Sequence, residues 1–173
     1  MLFSKEDLRK LIVPLVIEQL LAVTIGMADT MMVANVGEAA VSGISLVDSL
    51  NILLIQIFSA LATGGAVVAS QYLGRQDREN ACGAAKQLVY ACAAISILVG
   101  GLAMLGGKHL LSLIFGAVEP DVMRNAETYF WLSALSYPAL AIYNAGAALF
   151  RSMSNSRVSM MTSIAMNLVN ISG

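Results

Sequence analysis

The sequence predicts an all-α integral membrane protein, folded as an antiparallel bundle of transmembrane helices. Hydrophobic residues make up 58% of the 173-residue chain, and its mean hydropathy is +0.76. Charged residues make up 12%, about half the usual share in a soluble domain. Apolar stretches of about 20 residues recur, which is the length that crosses a bilayer as a helix.

Five spans are predicted, and the gaps between them are too short for an inserted soluble domain. Their approximate ranges are 11–34, 45–70, 87–107, 127–149 and 158–173. The fifth amounts to about 24 Å of helix, short of a roughly 30 Å hydrocarbon core. We therefore expect residues 1–173 to be a fragment of a longer protein or a truncated product.

Basic residues alternate between the gaps, and this alternation predicts the orientation of the chain. One side carries Lys5, Arg9, Lys10, Arg75, Arg78, Lys86, Arg151 and Arg157, and the other carries Lys108 and Arg124. Lysine and arginine are enriched on the cytoplasmic side of membrane proteins. The pattern predicts a multi-pass protein of the bacterial plasma membrane with a cytoplasmic N-terminus.

Span 1 contains two carboxylates, Glu18 and Asp29. Eleven residues at 100° each place them within about 20° of one face, roughly 16 Å apart along the axis. A charge near the bilayer centre costs about 2.5–3.5 kcal/mol, so such residues usually face a cavity or a partner. Asp29 is the strongest functional candidate. Asp48, near the outer end of span 2, is expected to be solvated or to cap a helix.

Other polar residues in the spans are candidates for lining a cavity. Span 2 carries a polar stripe that includes Gln56 and Thr63, and such a stripe either packs against a helix or lines water. In span 4, Pro138 should kink or loosen the helix, with Tyr137 and Asn144 close by. These side chains could form a binding wall together with Glu18, or they could be ordinary packing.

Several function classes find no support in the sequence. It shows no Ser/His/Asp set, metal-ligand cluster or phosphate loop, so neither an enzyme nor a bound cofactor is predicted. The net charge of -1 and the lack of a basic stripe argue against nucleic acid. The pairs Gly64–Gly65 and Gly100–Gly101 lie within apolar runs, where glycine is typical of close contact between helices.

Four segments together resemble one family. They are "IVPLVIEQLL", "ADTMMVANVG", "GGAVVASQYLGRQDRENA" and "LFRSMSNSR", in that order. The chain resembles the N-terminal lobe of the multidrug and toxic compound extrusion (MATE) antiporters of bacteria. Within that lobe, an Asp-Thr pair with a glycine eight residues after the Asp is matched by Asp29 and Gly37. Family loops often carry glycines where this chain has Ser152 and Ser154.

The resemblance implies about five spans of a twelve-helix transporter with two lobes around a central cavity. Its partners would be the bilayer, small organic cations or drugs, Na⁺ or H⁺, and a C-terminal lobe supplied in cis or in trans. It implies that Asp29 is the coupling carboxylate. Asn170 fits the first place of a helix 5 pattern whose second place falls one position beyond Gly173. Na⁺ at Asp29 and Asn170 is the one metal ion expected.

Three alternatives stay open. The chain could be a truncated remnant without transport activity of its own. It could belong to a lipid-linked oligosaccharide flippase of the same superfamily, although no basic residue lies inside the spans to meet a phosphate. It could also be a small protein that forms its pore by oligomerising, against which the short fifth span argues.

Overall fold

Five α-helices make up the described part of the protein, and no strand occurs there. The computed structural model describes residues 5–34 and 37–172, without the side chains of residues 7, 25, 28–30, 32, 33 and 170–172. The helices are α1 Lys5–Ala34, α2 Glu38–Gly74, α3 Arg78–Phe115, α4 Pro120–Ser152 and α5 Ser156–Ser172. The all-α fold and the order of five helices are confirmed.

The helices extend beyond the predicted spans, because the charged residues on either side of each apolar stretch are also helical. The segment between spans 2 and 3 was expected to be a gap, yet α3 begins at Arg78 and includes Lys86. The Asp77 side chain accepts a hydrogen bond from the Asn80 N–H at 3.2 Å, which satisfies a free donor at the start of α3. Only three or four residues separate successive helices.

Helices α2, α3 and α4 pack together around a common core, while α5 packs against α1 and α4. Along the contact between α2 and α4, the residue numbers increase in the same direction on both helices, from Asp48 beside Tyr129 to Asn51 beside Tyr137. Helices α2 and α4 are therefore parallel. Only three residues separate α1 from α2 and α4 from α5. Neighbouring helices joined by so few residues run in opposite directions, so α1 and α5 run in the same direction as each other.

Two glycines in the apolar runs allow the helices to approach closely. A Cβ built on Gly100 would lie 2.9 Å from the backbone oxygen of Ala134, and one built on Gly43 would lie 2.8 Å from that of Val122. Of the two predicted pairs, Gly65 and Gly100 face another helix, whereas nothing lies within 4 Å of Gly64 or Gly101. The expected close contact is confirmed for one member of each pair.

The surface of the bundle is strongly apolar. Helices α2 and α3 are long and apolar enough to cross a membrane, and 22% and 28% of their most apolar stretches is buried. A core helix of a soluble protein would be mostly buried instead. Leu105 and Leu113 on α3 are 89% and 84% exposed, and monomeric soluble proteins rarely expose large continuous apolar patches. The lengths and exposure of α2 and α3 fit the predicted membrane location.

Candidate functional site

The coupling residues predicted in span 1 and span 5 lie on helices whose backbone is described. Asp29 is in the last turns of α1 and Asn170 in the last turns of α5. Their side chains lie outside the described part of the structure. A contact between the two side chains stays a prediction. The way α1 packs against α5 in the described residues is the structural information relevant to it.

Glu18 is the centre of a polar network that joins three helices. Its Oε2 accepts a hydrogen bond from the Ser159 hydroxyl of α5 at 2.8 Å. Its Oε1 accepts from the Tyr143 hydroxyl of α4 at 3.3 Å and lies 3.5 Å from Nη1 of Arg151. The Tyr143 hydroxyl also shares a hydrogen bond of 2.8 Å with Ser163. The carboxylate therefore ties α1 to both α4 and α5.

Glu18 is partly buried, and Arg151 compensates its charge. The side chains of Glu18 and Arg151 are 18% and 29% exposed. A buried carboxylate is tolerated when a partner charge and further hydrogen bonds satisfy its lone pairs. Arg151, Tyr143 and Ser159 supply these, so Glu18 acts here as a partnered anion that joins helices.

A cavity of about 160 Å³ lies between α4 and α5 beside this network. Tyr143, Ser159 and Thr162 supply its polar wall, and Phe150 and Val158 supply part of its apolar wall. Sites for drug-sized ligands usually measure about 300–1,000 Å³. This cavity is too small to be the predicted drug cavity.

The polar stripe on α2 faces away from the helix core. Gln56 and Thr63 are exposed, and the Thr63 hydroxyl donates to the backbone oxygen of Ser59 at 2.8 Å. The hydroxyl of Ser45 bonds in the same way to Val41 at 2.8 Å. Each of these hydroxyls donates its proton to the preceding turn of its own helix, an alternative to a bond with a neighbouring helix. Gln56 and Thr63 are therefore not buried against another helix within the described residues, and their role in lining a cavity stays a prediction.

Tyr137 lies in the core between α2 and α4, where the binding-wall interpretation expected a cavity surface. The residue is buried, and its ring meets that of Phe58 edge to face with centroids 6.2 Å apart. Its hydroxyl donates to Oδ1 of Asn51 at 2.7 Å. Tyr137 is therefore an ordinary packing residue, because it lies on the face of α4 that is turned towards α2. Asn144, also on α4, is half-buried.

Asp48 is also placed differently from the sequence expectation, which was a solvated or capping role. It is half-buried and accepts a hydrogen bond from the Tyr129 hydroxyl of α4 at 3.0 Å. Asn51, one turn further on, donates through Nδ2 to the Ser133 hydroxyl at 3.2 Å. Two polar residues of α2 therefore bind α4 directly. Asn51 escaped sequence reasoning because it lies outside the polar stripe.

The contact between Glu18 and Ser159 also sets the register of α1 against α5. Asp29 lies eleven residues after Glu18, and Asn170 lies eleven residues after Ser159. The two helices run in the same direction. Eleven residues therefore advance each helix by about 16 Å and complete three turns plus about 20°. Helix geometry therefore predicts that Asp29 and Asn170 lie at the same level, on the facing sides of α1 and α5.

The described side chains include no group of three or more His, Cys, Asp or Glu that could hold a metal ion. Asp29 and Asn170 lie outside that search, so Na⁺ binding there is untested. Arg151 and Ser159 were not predicted as partners of Glu18. A signal was available in α5, where Ser156, Ser159 and Ser163 share one helical face.

The chain is similar to known transport proteins over most of its length. Residues 14–173 match the MatE family. The chain is 27% identical over 162 residues to a Bacillus subtilis (strain 168) protein named uncharacterized transporter YisQ. That alignment covers 92% of this chain and 35% of the relative, so the chain spans about a third of the length of this curated relative. Both matches point to a transporter, and neither points to an enzyme.

Proposed function

The chain belongs to the MatE family, and on that premise we propose that it forms part of a membrane transporter that exports organic cations or other drugs in exchange for Na⁺ or H⁺. The membership bears out the family resemblance carried by the segments around Asp29 and Gln71. The proposal includes a bacterial plasma membrane location, a cytoplasmic N-terminus and a second lobe that completes the cavity.

The observation that carries this proposal is the register of α1 against α5. The Ser159 hydroxyl binds Glu18 at 2.8 Å, and eleven residues further along both helices stand a carboxylate and a side-chain amide, Asp29 and Asn170. A carboxylate in a low-dielectric setting can hold a proton or stay ionised around a cation. Carboxylate and amide oxygens are suitable ligands for a hard cation.

We assign the coupling to a change of charge at Asp29. Binding of H⁺ or Na⁺ neutralises the carboxylate, and release restores its charge. The charged and neutral states of Asp29 differ in what the outer half of α1 can contact. Ion binding therefore biases the side of the membrane to which the cavity opens. The exposed polar stripe of α2, with Gln56 and Thr63, is proposed to face that cavity.

The test compares two Asp→Asn variants of the full-length protein in everted membrane vesicles. Transport of ethidium, a fluorescent organic cation, is followed after a Na⁺ or pH gradient is imposed. Asp29→Asn should abolish gradient-driven transport, whereas Asp121→Asn, which removes an exposed carboxylate in the first turn of α4, should retain it. Full transport by Asp29→Asn at equal membrane abundance would contradict the coupling role.

A further inference from the structure

We propose that Glu18 is a positioning residue, which fixes the register of α1 against α5 and thereby holds Asn170 level with Asp29. This inference rests on the proposed function. Glu18 touches neither ion nor drug in it. Its role follows from the bonds that it makes to α4 and α5.

The bonds of Glu18 point in different directions, and this makes the network sensitive to sliding. Ser159 approaches Oε2 from α5 at 2.8 Å, while Tyr143 and Arg151 approach Oε1 from α4 at 3.3 and 3.5 Å. A slip of α5 along α1 by one helical turn is about 5.4 Å. The Ser159 bond is 2.8 Å long, so a displacement of that size would break it.

The described residues that precede this bond on α1 and α5 add no hydrogen bond that would fix the register. The nearest predicted pair is Leu15 with Ser156, three residues before Glu18 and Ser159. Ser156 is buried, and its hydroxyl has no hydrogen-bond partner among the described residues. Membrane helices are held together by close packing and by hydrogen bonds between them, without a hydrophobic driving force. The directional bond from Ser159 to Glu18 selects the register.

The selected register has its effect at the ion site. A slip of one turn would displace Asn170 from Asp29 by the same 5.4 Å or so, beyond the reach of a shared ion or a hydrogen bond. Loss of the Glu18 network should therefore weaken ion binding at a place about 16 Å away. A merely stabilising network would lower the amount of folded protein and leave ion affinity unchanged.

The test measures the register directly by disulfide cross-linking. The full-length protein carries Cys82→Ala and Cys92→Ala, with Leu15→Cys and Ser156→Cys as the reporting pair. Ser156→Cys breaks no hydrogen bond within the described residues. Glu18→Gln and Ser159→Ala are introduced separately. Thr162→Ala is the control, because the Thr162 hydroxyl, also on α5, donates to the backbone oxygen of Val158 in its own helix at 2.9 Å.

We expect slower cross-linking of the 15–156 pair in Glu18→Gln and in Ser159→Ala, and an unchanged rate in Thr162→Ala. The ion concentration for half-maximal ethidium transport should rise about tenfold in the first two variants, as expected for loss of one hydrogen bond to a charged group. Ser159→Ala keeps the test decisive if Glu18→Gln fails to fold.

Two results would overturn the inference. One is an unchanged cross-linking rate in folded Ser159→Ala. The other is slower cross-linking with an unchanged ion dependence, which would leave the network without a positioning role. Cross-linking needs no transport, so the register is judged separately from the proposed function, which the Asp29→Asn comparison decides.

Discussion

Gln76 and Ser154 occupy the same place in two equivalent turns, with φ angles of 61° and 60°. Both follow a helix on the side predicted to be cytoplasmic, after α2 and after α4. The N–H of Asp77 reaches the oxygen of Tyr72 at 3.0 Å, and the N–H of Asn155 reaches that of Phe150 at 2.9 Å. These are Schellman turns, whose left-handed position is usually a glycine.

Ser154→Gly is expected to stabilise the protein. A left-handed conformation costs a side-chain-bearing residue about 1–2 kcal/mol, and glycine avoids that cost while losing part of the gain to its greater freedom in the unfolded chain. We expect a net gain of about 0.5–1 kcal/mol, measured as a higher thermal unfolding midpoint in detergent.

The neighbouring serine provides the control for this substitution. Ser152 is the last residue of α4, where glycine should weaken the helix by up to about 1 kcal/mol. Of these two serines, only Ser154 has the positive φ angle that favours glycine. Equal effects of Ser152→Gly and Ser154→Gly would refute this account.

Gly100→Ala is expected to destabilise the packing of α3 on α4. The new methyl would lie 2.9 Å from the backbone oxygen of Ala134, and backbone cannot move aside as a side chain can. Overpacking of this kind typically costs about 1–3 kcal/mol. Gly101→Ala meets nothing within 4 Å and should be neutral or slightly stabilising. The unfolding midpoints of the two variants, measured side by side, decide the matter.

The number and order of the helices were predictable because the length of an apolar run is a local property. The helix ends were less so, since Lys86 is charged and yet lies inside α3, whose start is set by the Asp77 cap. The two equivalent turns were also missed. Gln76 and Ser154 differ in chemistry and share only a backbone conformation, which a search for repeated residues does not detect.

The polar contacts between distant helices could not be predicted. Periodicity placed Glu18 and Asp29 on one face of α1. It could not identify Arg151 or Ser159 as partners of Glu18, because these residues lie more than 130 positions away, and a single sequence carries no information on which distant residues meet. The same limit explains why Tyr137 was proposed for a cavity wall before its partner Asn51 was known.

Asn51 and Tyr137 should be energetically coupled. The Tyr137 hydroxyl donates to Oδ1 of Asn51 at 2.7 Å, and Tyr137 is buried. A double-mutant cycle of Asn51→Ala and Tyr137→Phe should give about 0.6 kcal/mol, with an upper limit of about 1.7 kcal/mol for such bonds between membrane helices. Tyr90→Phe, on an exposed tyrosine of α3, should show no coupling to Asn51→Ala. Zero coupling between Asn51 and Tyr137 would show that the bond adds nothing to stability.

Asp77 should make the stability of the protein depend on pH in the acid range. The Asn80 side chain donates to its carboxylate at 2.6 Å and the Asn80 N–H at 3.2 Å, and these bonds lower the pKa of Asp77 from its usual 3.8. The unfolded chain therefore binds a proton more readily than the folded protein does, so stability rises with pH. The contribution is complete above the usual pKa and is lost as the pH falls through the lowered one.

Asp77→Asn isolates this contribution. The amide cannot be deprotonated, so the variant should lose stability near neutral pH and should show a smaller fall in its unfolding midpoint between about pH 5 and pH 2, the range in which a carboxylate of lowered pKa titrates. Asp121→Asn should keep the fall attributed to Asp77, because that substitution leaves the cap of α3 intact. If Asp77→Asn and the unmodified protein lose stability in parallel on acidification, the cap is not the source of the pH dependence.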